Sequence, residues 1–189
     1  MLNKGLLLVV SDTPGYFEEE FNAWYDTDHI PERMAIPGFE TGRRYVSADR
    51  ARRYLALYDL TTVGVLETPD YLKFSGVNFT PWSKRVVSRC RIDRVAATQV
   101  SPGRQLVASA SRLLLVRVAG ATAETAAAYS RQCFQGQPGV AQVRAFSEDE
   151  AGRMHLVVVG DGDLAGLIRP AETAGNGLSL TSAETYLPY

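Results

Sequence analysis

The chain has 189 residues, and its composition of 46% hydrophobic and 22% charged residues excludes a disordered protein. Lys and Arg total 20 and Asp and Glu total 21, so the sequence lacks the basic excess typical of proteins that bind DNA or RNA. The longest apolar run, residues 6–10, is far shorter than a membrane span requires. We therefore expect a cytoplasmic protein whose partners include neither nucleic acid nor a membrane.

Residues that bind soft metals are scarce in this sequence. The two cysteines, Cys90 and Cys133, and the two histidines, His29 and His155, are too few for a closed zinc site. No Gly-rich phosphate loop joins a strand-like run to a helix-like run, so a nucleotide cofactor is not expected either. We predict no metal and no cofactor. Both cysteines are interpreted as buried thiols, with one disulfide between them as the open alternative.

The second half of the chain repeats the pattern of the first at an offset of about 101 residues, which aligns Pro37-Gly38 with Pro138-Gly139. In each half an apolar strand precedes a helix, two strand-like segments flank a polar turn, and a shorter helix precedes a last strand. In chain order, the first half has a strand at 6–10, a helix from Pro14, a turn at 47–51, a helix at 65–74 and a strand at 85–95. The second half has a strand at 113–118, a helix at 122–134, a turn at 147–152, a helix at 164–173 and a strand at 178–186.

This order is β-α-β-β-α-β twice, which is the ferredoxin-like arrangement of a four-stranded antiparallel sheet with helices on one face. The predicted fold is therefore α+β, with tandem ferredoxin-like repeats at residues 1–100 and 106–189 that form an α+β barrel around a cavity or a core. A polar linker at 101–105 joins the halves. The alternative is two separate sandwiches whose open faces pair with another copy of the chain, and a homodimer is possible in either case.

The first half carries an extra segment that the second half lacks. Sixteen steps separate Phe21 from Pro37, whereas nine separate Tyr129 from Pro138. Because Pro31 disfavours a helical residue before it, we predict that the first helix ends at or just after His29, where the macrodipole would favour the imidazolium. Acidic neighbours would raise the pKa of this histidine and burial would lower it, so its charge stays open. A solvated helix end is the alternative to a functional histidine.

The extra segment also carries a family resemblance. Residues 21–32 include Trp24-Tyr25 and His29-Ile30-Pro31-Glu32, and a Pro-Gly-Phe follows at 37–39. This pattern resembles that of EthD-like proteins in the dimeric α+β barrel superfamily, and the resemblance covers roughly residues 5–95. It implies the barrel fold and a range of activities that includes cofactor-independent monooxygenases, lactone isomerases, polyketide cyclases and small lyases.

We accordingly predict a small cofactor-independent enzyme of lyase or isomerase type that acts on an aromatic, polyketide-like or lactone substrate. His29 would be the general acid or base, Asp26 would orient it, Tyr25 or Tyr54 would donate a hydrogen bond to the developing oxyanion, and Trp24 would form an apolar wall. The alternatives are a quinone-forming monooxygenase that uses only substrate and oxygen, and a non-catalytic carrier or sensor of a small apolar ligand. A haem-binding barrel with a histidine ligand is a further alternative.

The remaining candidate residues lie on strands. Alternation along the third strand of each half places Tyr54, Tyr58 and His155 on the face that we expect to line the barrel interior and to bind an aromatic substrate. Arg43 or its neighbour Arg44 should face inward and hold a substrate anion. The alternatives are ordinary sheet packing for the tyrosines, a strand-edge position for the histidine and a surface salt bridge for the arginine.

Overall fold

The computed structural model describes residues 2–148, 152–169 and 178–189. Its eight strands are Gly5–Asp12 (β1), Phe39–Ser47 (β2), Arg53–Leu60 (β3), Arg91–Ser101 (β4), Arg112–Ala119 (β5), Val140–Ser147 (β6), Met154–Gly160 (β7) and Ser179–Pro188 (β8). They are all paired antiparallel and close into one barrel in the order β1-β3-β2-β8-β5-β7-β6-β4.

The strand order confirms the predicted fold of tandem ferredoxin-like repeats in an α+β barrel. The first repeat supplies the run β4-β1-β3-β2, and the second supplies the equivalent run β8-β5-β7-β6. The pairs β2 with β8 and β4 with β6 join the two runs, so one chain closes the barrel and no sheet edge stays open. The alternative of two separate sandwiches is therefore wrong, and a homodimer stays a prediction that closure does not require.

Helices cover the outer face of the barrel. They are Glu18–Trp24 (α1), Ile30–Met34 (α2), Pro69–Leu72 (α3), Pro81–Val87 (α4) and Ala123–Phe134 (α5), with a π-helical turn at Tyr25–His29 between α1 and α2. The predicted strand at 85–95 is partly wrong, because Thr80 caps a helix at its N-terminus and β4 begins only at Arg91. Of the predicted helix at 164–173, the described part contains a 3₁₀ turn at Ala165–Leu167, and residues 170–173 lie outside the described residues. No helix in the described ranges is long and apolar enough to cross a bilayer.

The barrel interior is a solid core of aliphatic and aromatic side chains from all eight strands. Alternate residues of each strand point inward, and those in the middle of the barrel are buried against one another. The inward side chains of this core are Leu6, Leu8, Val10, Tyr45, Leu55, Leu57, Val95, Ala97, Leu113, Leu115, Phe146, Val157, Val159 and Tyr186. Of the two possibilities of a cavity and a core, the interior is therefore a core.

One buried ion pair lies at the barrel end where the two halves are joined. Arg144 on β6 donates through Nη1 to Oδ1 of Asp59 on β3 at 2.6 Å, and both side chains are fully buried. The backbone N–H of Val107 donates to the other oxygen of Asp59 at 2.7 Å. The linker is thus longer than the predicted 101–105: Ser101 ends β4, and residues 102–111 fold over the barrel end and add Val107 to the core.

The offset between equivalent residues of the two halves falls by one residue within the hairpin that joins the second and third strands of each half. This change corrects the predicted alignment. Gly38 and Gly139 are equivalent. Each has a positive φ, and the carbonyl of each accepts a hydrogen bond from the backbone N–H of the residue that follows the third strand of its half. Arg52 and Gly152 are equivalent by the same test: φ is 59° and 81°, and each carbonyl accepts from the residue after the first strand of its half. The second-half hairpin is therefore one residue shorter, and a shift of one residue exchanges the two faces of a strand.

This shift shows why one predicted face is wrong. Tyr54 and Tyr58 point outward beneath the helices, whereas Leu55 and Leu57 point into the barrel. On β7 the predicted direction was correct, since His155 shares its inward face with Val157 and Val159. The two tyrosines therefore cannot line the barrel interior.

We predict opposite effects of substitution at the two equivalent turn positions. Arg52→Gly should raise the free energy of unfolding by about 1 kcal/mol, because glycine adopts a left-handed conformation without the penalty of a Cβ. Gly152→Ala should lower it by at least about 1 kcal/mol, because the new Cβ would lie 2.9 Å from the carbonyl oxygen of Ala121. Urea denaturation measures both, and destabilisation by Arg52→Gly would contradict the proposed equivalence.

The buried ion pair generates a second prediction. Arg144→Met should lower the free energy of unfolding by about 3–5 kcal/mol, because it leaves the Asp59 carboxylate buried without its counter-charge. Lys73→Met, which breaks an exposed ion pair with Asp70, is the control and should change stability by less than about 1 kcal/mol. Equal effects of the two substitutions in urea denaturation would show that the buried pair does not hold the barrel end.

Candidate functional site

A cavity of about 170 Å³ lies outside the barrel, between the helical segment 18–34 and the outer face of the first-half sheet. Its walls are mostly apolar and aromatic. The lining residues are Leu7, Val9, Trp24, Tyr25, His29, Arg33, Tyr58, Tyr71, Phe79, Val87, Ile92 and Arg94. A cavity of about 150 Å³ holds a benzene molecule, so this one encloses about one aromatic ring.

The π-helical turn at Tyr25–His29 positions the histidine of this cavity. The N–H of Ile30 donates to the carbonyl of Tyr25, five residues earlier, which widens the helix by one residue. Ile30 is helical, with φ −65° and ψ −48°, although Pro31 follows it. The prediction that the helix ends at His29 is therefore wrong: the wider turn accommodates the proline ring, and helical residues continue to Met34.

The imidazole of His29 is clamped between two aromatic side chains. It stacks on Trp24 with ring centroids 4.1 Å apart and an interplanar angle of 26°, and it meets Tyr25 edge-on at 5.3 Å. The indole N–H of Trp24 donates to Oγ of Ser83 at 3.1 Å, which fixes the indole in turn. The three residues Trp24, Tyr25 and His29, predicted as wall, donor and base, thus come together at one cavity.

The electrostatics of His29 differ from the sequence-based expectation. The side chain is 9% exposed, and burial together with the Arg33 charge lowers its pKa well below 6.5. His29 lies inside a continuous helical segment rather than at a C-terminus, so the expected macrodipole effect does not apply. Its Nδ1 is buried and has no hydrogen-bond partner in the described structure. The lowered pKa favours the neutral imidazole near pH 7, and its buried Nδ1 is an unpartnered hydrogen-bonding atom.

Arg33 is the main cavity residue that the sequence analysis missed. Its side chain is buried, Nη2 donates to the carbonyl of Phe74 at 2.5 Å, and the guanidinium lies 5.1 Å from the ring centroid of Tyr71. Nη1 is buried without a partner among the residues that the structure describes. The signal in the sequence is the spacing, because residues four apart, such as His29 and Arg33, lie on the same side of a helix.

A third polar group of the cavity also lacks a partner. The hydroxyl of Tyr58 is buried and forms no hydrogen bond within the described residues, and burial raises its pKa well above 10. Burial also raises the pKa of Tyr25 to about 12. Both phenols therefore stay protonated near neutral pH and can donate hydrogen bonds. Three residues that line this apolar cavity, His29, Arg33 and Tyr58, thus each have a buried hydrogen-bonding atom without a partner among the described residues.

Asp26 does not contact His29, contrary to its predicted orienting role. Its Oδ1 accepts from Nη1 of Arg44 at 2.6 Å, and Nη2 of Arg44 donates to the side chain of Asn22 at 2.5 Å. Arg44 also lies 4.1 Å from the ring centroid of Tyr189. This arginine therefore holds the helical segment to β2 rather than binding in the cavity.

Three other predicted substrate-binding residues lie away from the cavity. Tyr54 points to the same side as Tyr58, but its hydroxyl donates to Glu18 at 2.6 Å. Arg43 donates to the linker at the carbonyl of Ala108 and the hydroxyl of Ser109. His155 lies in the second half, with Nε2 2.9 Å from Glu148. The structure therefore brings together Trp24, Tyr25, His29 and Tyr58.

Comparison with solved structures shows the fold. An anthrone oxidase-like protein shares 9% identity at a TM-score of 0.64, with 100% of this chain and 92% of the other covered. A candidate monooxygenase from Lactobacillus acidophilus NCFM shares 8% identity at a TM-score of 0.62, with 99% of this chain and 93% of the other covered. A heme-binding protein from Thermus thermophilus shares 10% identity at a TM-score of 0.55, with 100% of this chain and 92% of the other covered. No family model and no curated protein matches the sequence.

A haem does not fit the histidine-lined cavities of the described structure. The cavity at His29 encloses about 170 Å³ and the one at His155 about 190 Å³, which is close to the size of one aromatic ring. A haem has four pyrrole rings. Neither cavity therefore has room for a haem beside its histidine.

The unpartnered hydroxyl of Tyr58 generates a stability prediction. Tyr58→Phe should raise the free energy of unfolding by about 1 kcal/mol, because it removes a buried polar group that has no partner. Tyr54→Phe on the same strand face is the matched control and should lower stability by about 1 kcal/mol, since its hydroxyl bonds Glu18. Thermal or urea denaturation of the two variants and the unmodified protein measures these changes in the free energy of unfolding. A loss of stability in both variants would mean that Tyr58 has a partner after all.

Proposed function

We propose that this protein is a cofactor-independent oxygenase that oxidises a phenol or enol whose reacting ring fits the cavity beside His29. The observation that carries the proposal is the set of three buried, unpartnered polar groups of His29, Arg33 and Tyr58 around one apolar cavity. Buried polar groups without partners are costly for stability, and a ligand that bonds all three would remove that cost. The oxygenase, given above as an alternative, is favoured over the lyase or isomerase because of the solved structures to which the chain is similar.

His29 would act as the general base. A neutral imidazole has one ring nitrogen without hydrogen, and in the tautomer that leaves Nδ1 bare this atom would take the proton of a phenol or enol hydroxyl. Stacking on Trp24 holds the ring in place, so little reorientation is needed. General-base catalysis of this kind contributes about 10²–10⁴ in rate.

Arg33 and Tyr58 would stabilise the anion that results. Nη1 of Arg33 and the hydroxyl of Tyr58 are donors in an apolar site, where hydrogen bonds to a developing negative charge are stronger than in water. The same two donors would favour substrates that ionise at oxygen over neutral rings. Tyr25, predicted as the donor to the oxyanion, lines the cavity and would assist them.

The oxidation needs only the substrate and dioxygen. The phenolate gives electrons to dioxygen at the carbon para to its oxygen, and a carbon–oxygen bond forms to give a hydroperoxide after the proton held by His29 is returned. Loss of the proton on that carbon then breaks the oxygen–oxygen bond and releases water. The sum is phenol plus dioxygen to quinone plus water, so atoms and electrons balance without a cofactor.

The comparisons support this proposal over a lyase or isomerase, because the similar structures include a candidate monooxygenase and an anthrone oxidase-like protein. The resemblance of residues 21–39 to EthD-like proteins supports a functional role for the same segment. A lyase or isomerase would use the same proton transfer, so oxygen consumption separates the two possibilities.

The test is a set of monocyclic phenols with a free para position, assayed with an oxygen electrode and by quinone absorbance. We expect His29→Phe to reduce kcat/KM by about 10²–10⁴ while binding of the phenol persists, because phenylalanine keeps the ring stack but has no basic nitrogen. Tyr54→Phe, outside the cavity, should leave kcat/KM unchanged. Turnover without oxygen would indicate a lyase or isomerase, and binding without turnover would indicate a carrier.

The low pKa of His29 generates a pH prediction. A base whose pKa is well below 6.5 loses activity only when the pH falls well below 6.5, so kcat/KM should be flat from pH 6.5 to 8. For stability, the unfolded chain binds a proton near pH 6.5 and the folded chain does not, so unfolding becomes easier as the pH falls below 6.5. His29→Phe should remove this part of the pH dependence. An acid limb at or above pH 6.5 that depends on His29 would contradict the neutral buried imidazole.

A further inference from the structure

A second cavity, of about 190 Å³, lies at the barrel end opposite the linker. It is formed where β4, β5 and β7 carry inward-facing residues beyond the apolar core layer. Those residues are Asp93, Arg117 and His155, and Val95 lies just beneath them. Polar side chains therefore cover the apolar core at this end.

His155 has one ring nitrogen bound and one free. Its side chain is 3% exposed, and Nε2 lies 2.9 Å from Oε2 of Glu148, whose other oxygen is 3.2 Å from Arg153. A carboxylate accepts, so Nε2 carries the hydrogen and Nδ1 has a bare lone pair. Burial lowers the pKa of His155 and outweighs the opposing effect of the bonded Glu148 carboxylate, which favours the neutral ring. Nδ1 is buried and has no partner in residues 2–148, 152–169 and 178–189.

Arg117 is the direct cross-strand neighbour of His155. Its Nη1 donates to Asp93, while Nη2 is buried and has no partner within the described part of the chain. Side chains directly opposite each other on paired strands lie close together. Two residues that line one cavity on adjacent strands thus have a buried, unpartnered atom each: a positively charged donor on Arg117 and an acceptor on His155.

We propose that this cavity binds a small oxyanion that carries one O–H, of the hydrogen phosphate type. An ionised oxygen would accept from Nη2 of Arg117, and the O–H would donate to Nδ1 of His155. A fully ionised oxyanion such as sulfate has no hydrogen for Nδ1, so its lone pairs would face the lone pair of the ring. The carboxylates of Asp93 and Glu148 nearby add to the preference for a protonated anion.

This site is separate from the proposed oxygenase cavity. Asp93 and Arg94 are consecutive on β4 and therefore point to opposite faces, so the first lines the anion cavity and the second lines the cavity at His29. The proposal does not depend on the oxygenase function, and either can fail without the other.

The first experiment compares two anions on the unmodified protein. Inorganic phosphate and sulfate are titrated by calorimetry at pH 7 and equal ionic strength, with chloride as the balancing anion. We expect phosphate to bind at least about tenfold more tightly than sulfate, since a hydrogen bond between a charged ligand and the protein contributes about this much. Equal affinities, or no binding of phosphate, would overturn the proposal.

Three variants assign the two contacts. His155→Gln keeps a side-chain nitrogen near the position that bonds Glu148 but removes the Nδ1 acceptor, so it should bind phosphate and sulfate with equal affinity. Arg117→Gln should weaken the binding of both phosphate and sulfate at least tenfold. Arg112→Gln, an exposed position on the same strand, is the control and should bind like the unmodified protein. Phosphate binding that is unchanged in Arg117→Gln, with an unchanged urea midpoint, would show that the anion binds elsewhere.

Discussion

The filled barrel interior is the constraint on which the location of every other feature depends. Strands expose only two faces, and in this eight-stranded barrel the inward face is occupied by a packed core. A ligand site can then form only beneath the helices on the outer face or where the strands end. Both cavities described above follow this rule, since one lies under the helical segment 18–34 and the other at the mouth of the barrel. The ion pair of Asp59 and Arg144 closes the remaining end with the linker.

The site under the helices retains polar groups at a cost to stability. Each of His29 Nδ1, Arg33 Nη1 and Tyr58 Oη loses its bonds to water on folding and gains none from the described residues. An unpartnered buried group costs about 1–3 kcal/mol, so three of them consume a large part of the 5–15 kcal/mol that typically separates folded from unfolded proteins. The ring stack of Trp24 on His29 and the bond from the indole N–H to Ser83 nevertheless hold the imidazole in a defined position. A defined position and unmet hydrogen bonds together are what a preorganised site needs.

Sequence reasoning succeeded where a pattern extends over many residues and failed where one residue decides. The repeat and the apolar runs of the strand-like segments predicted two ferredoxin-like halves that form a barrel, because the core requires these runs. The single residue lost from the second hairpin reversed the predicted face of Tyr54 and Tyr58, and no apolar pattern records it. Pro31 suggested the end of a helix because proline disfavours a helical residue before it. The prediction failed because the π-helical turn depends on packing, which residue propensities do not include. Asp26 is close to His29 in sequence, but Arg44 from another strand binds it.

The difference between the two halves explains why the cavity lies in the first. In the second half, α5 contributes Tyr129, Cys133 and Phe134 to a cluster that packs directly on the outward side chains of β7. Val158 occupies the strand position equivalent to Tyr58, so this position carries no hydroxyl. In the first half, the inserted residues turn the helical segment at Tyr25–His29 and keep it in place through Arg44, which leaves a gap above Tyr58 that side chains of the described residues do not fill. Because both halves close the same barrel, the second can preserve the scaffold while the first carries the weaker packing that a site requires.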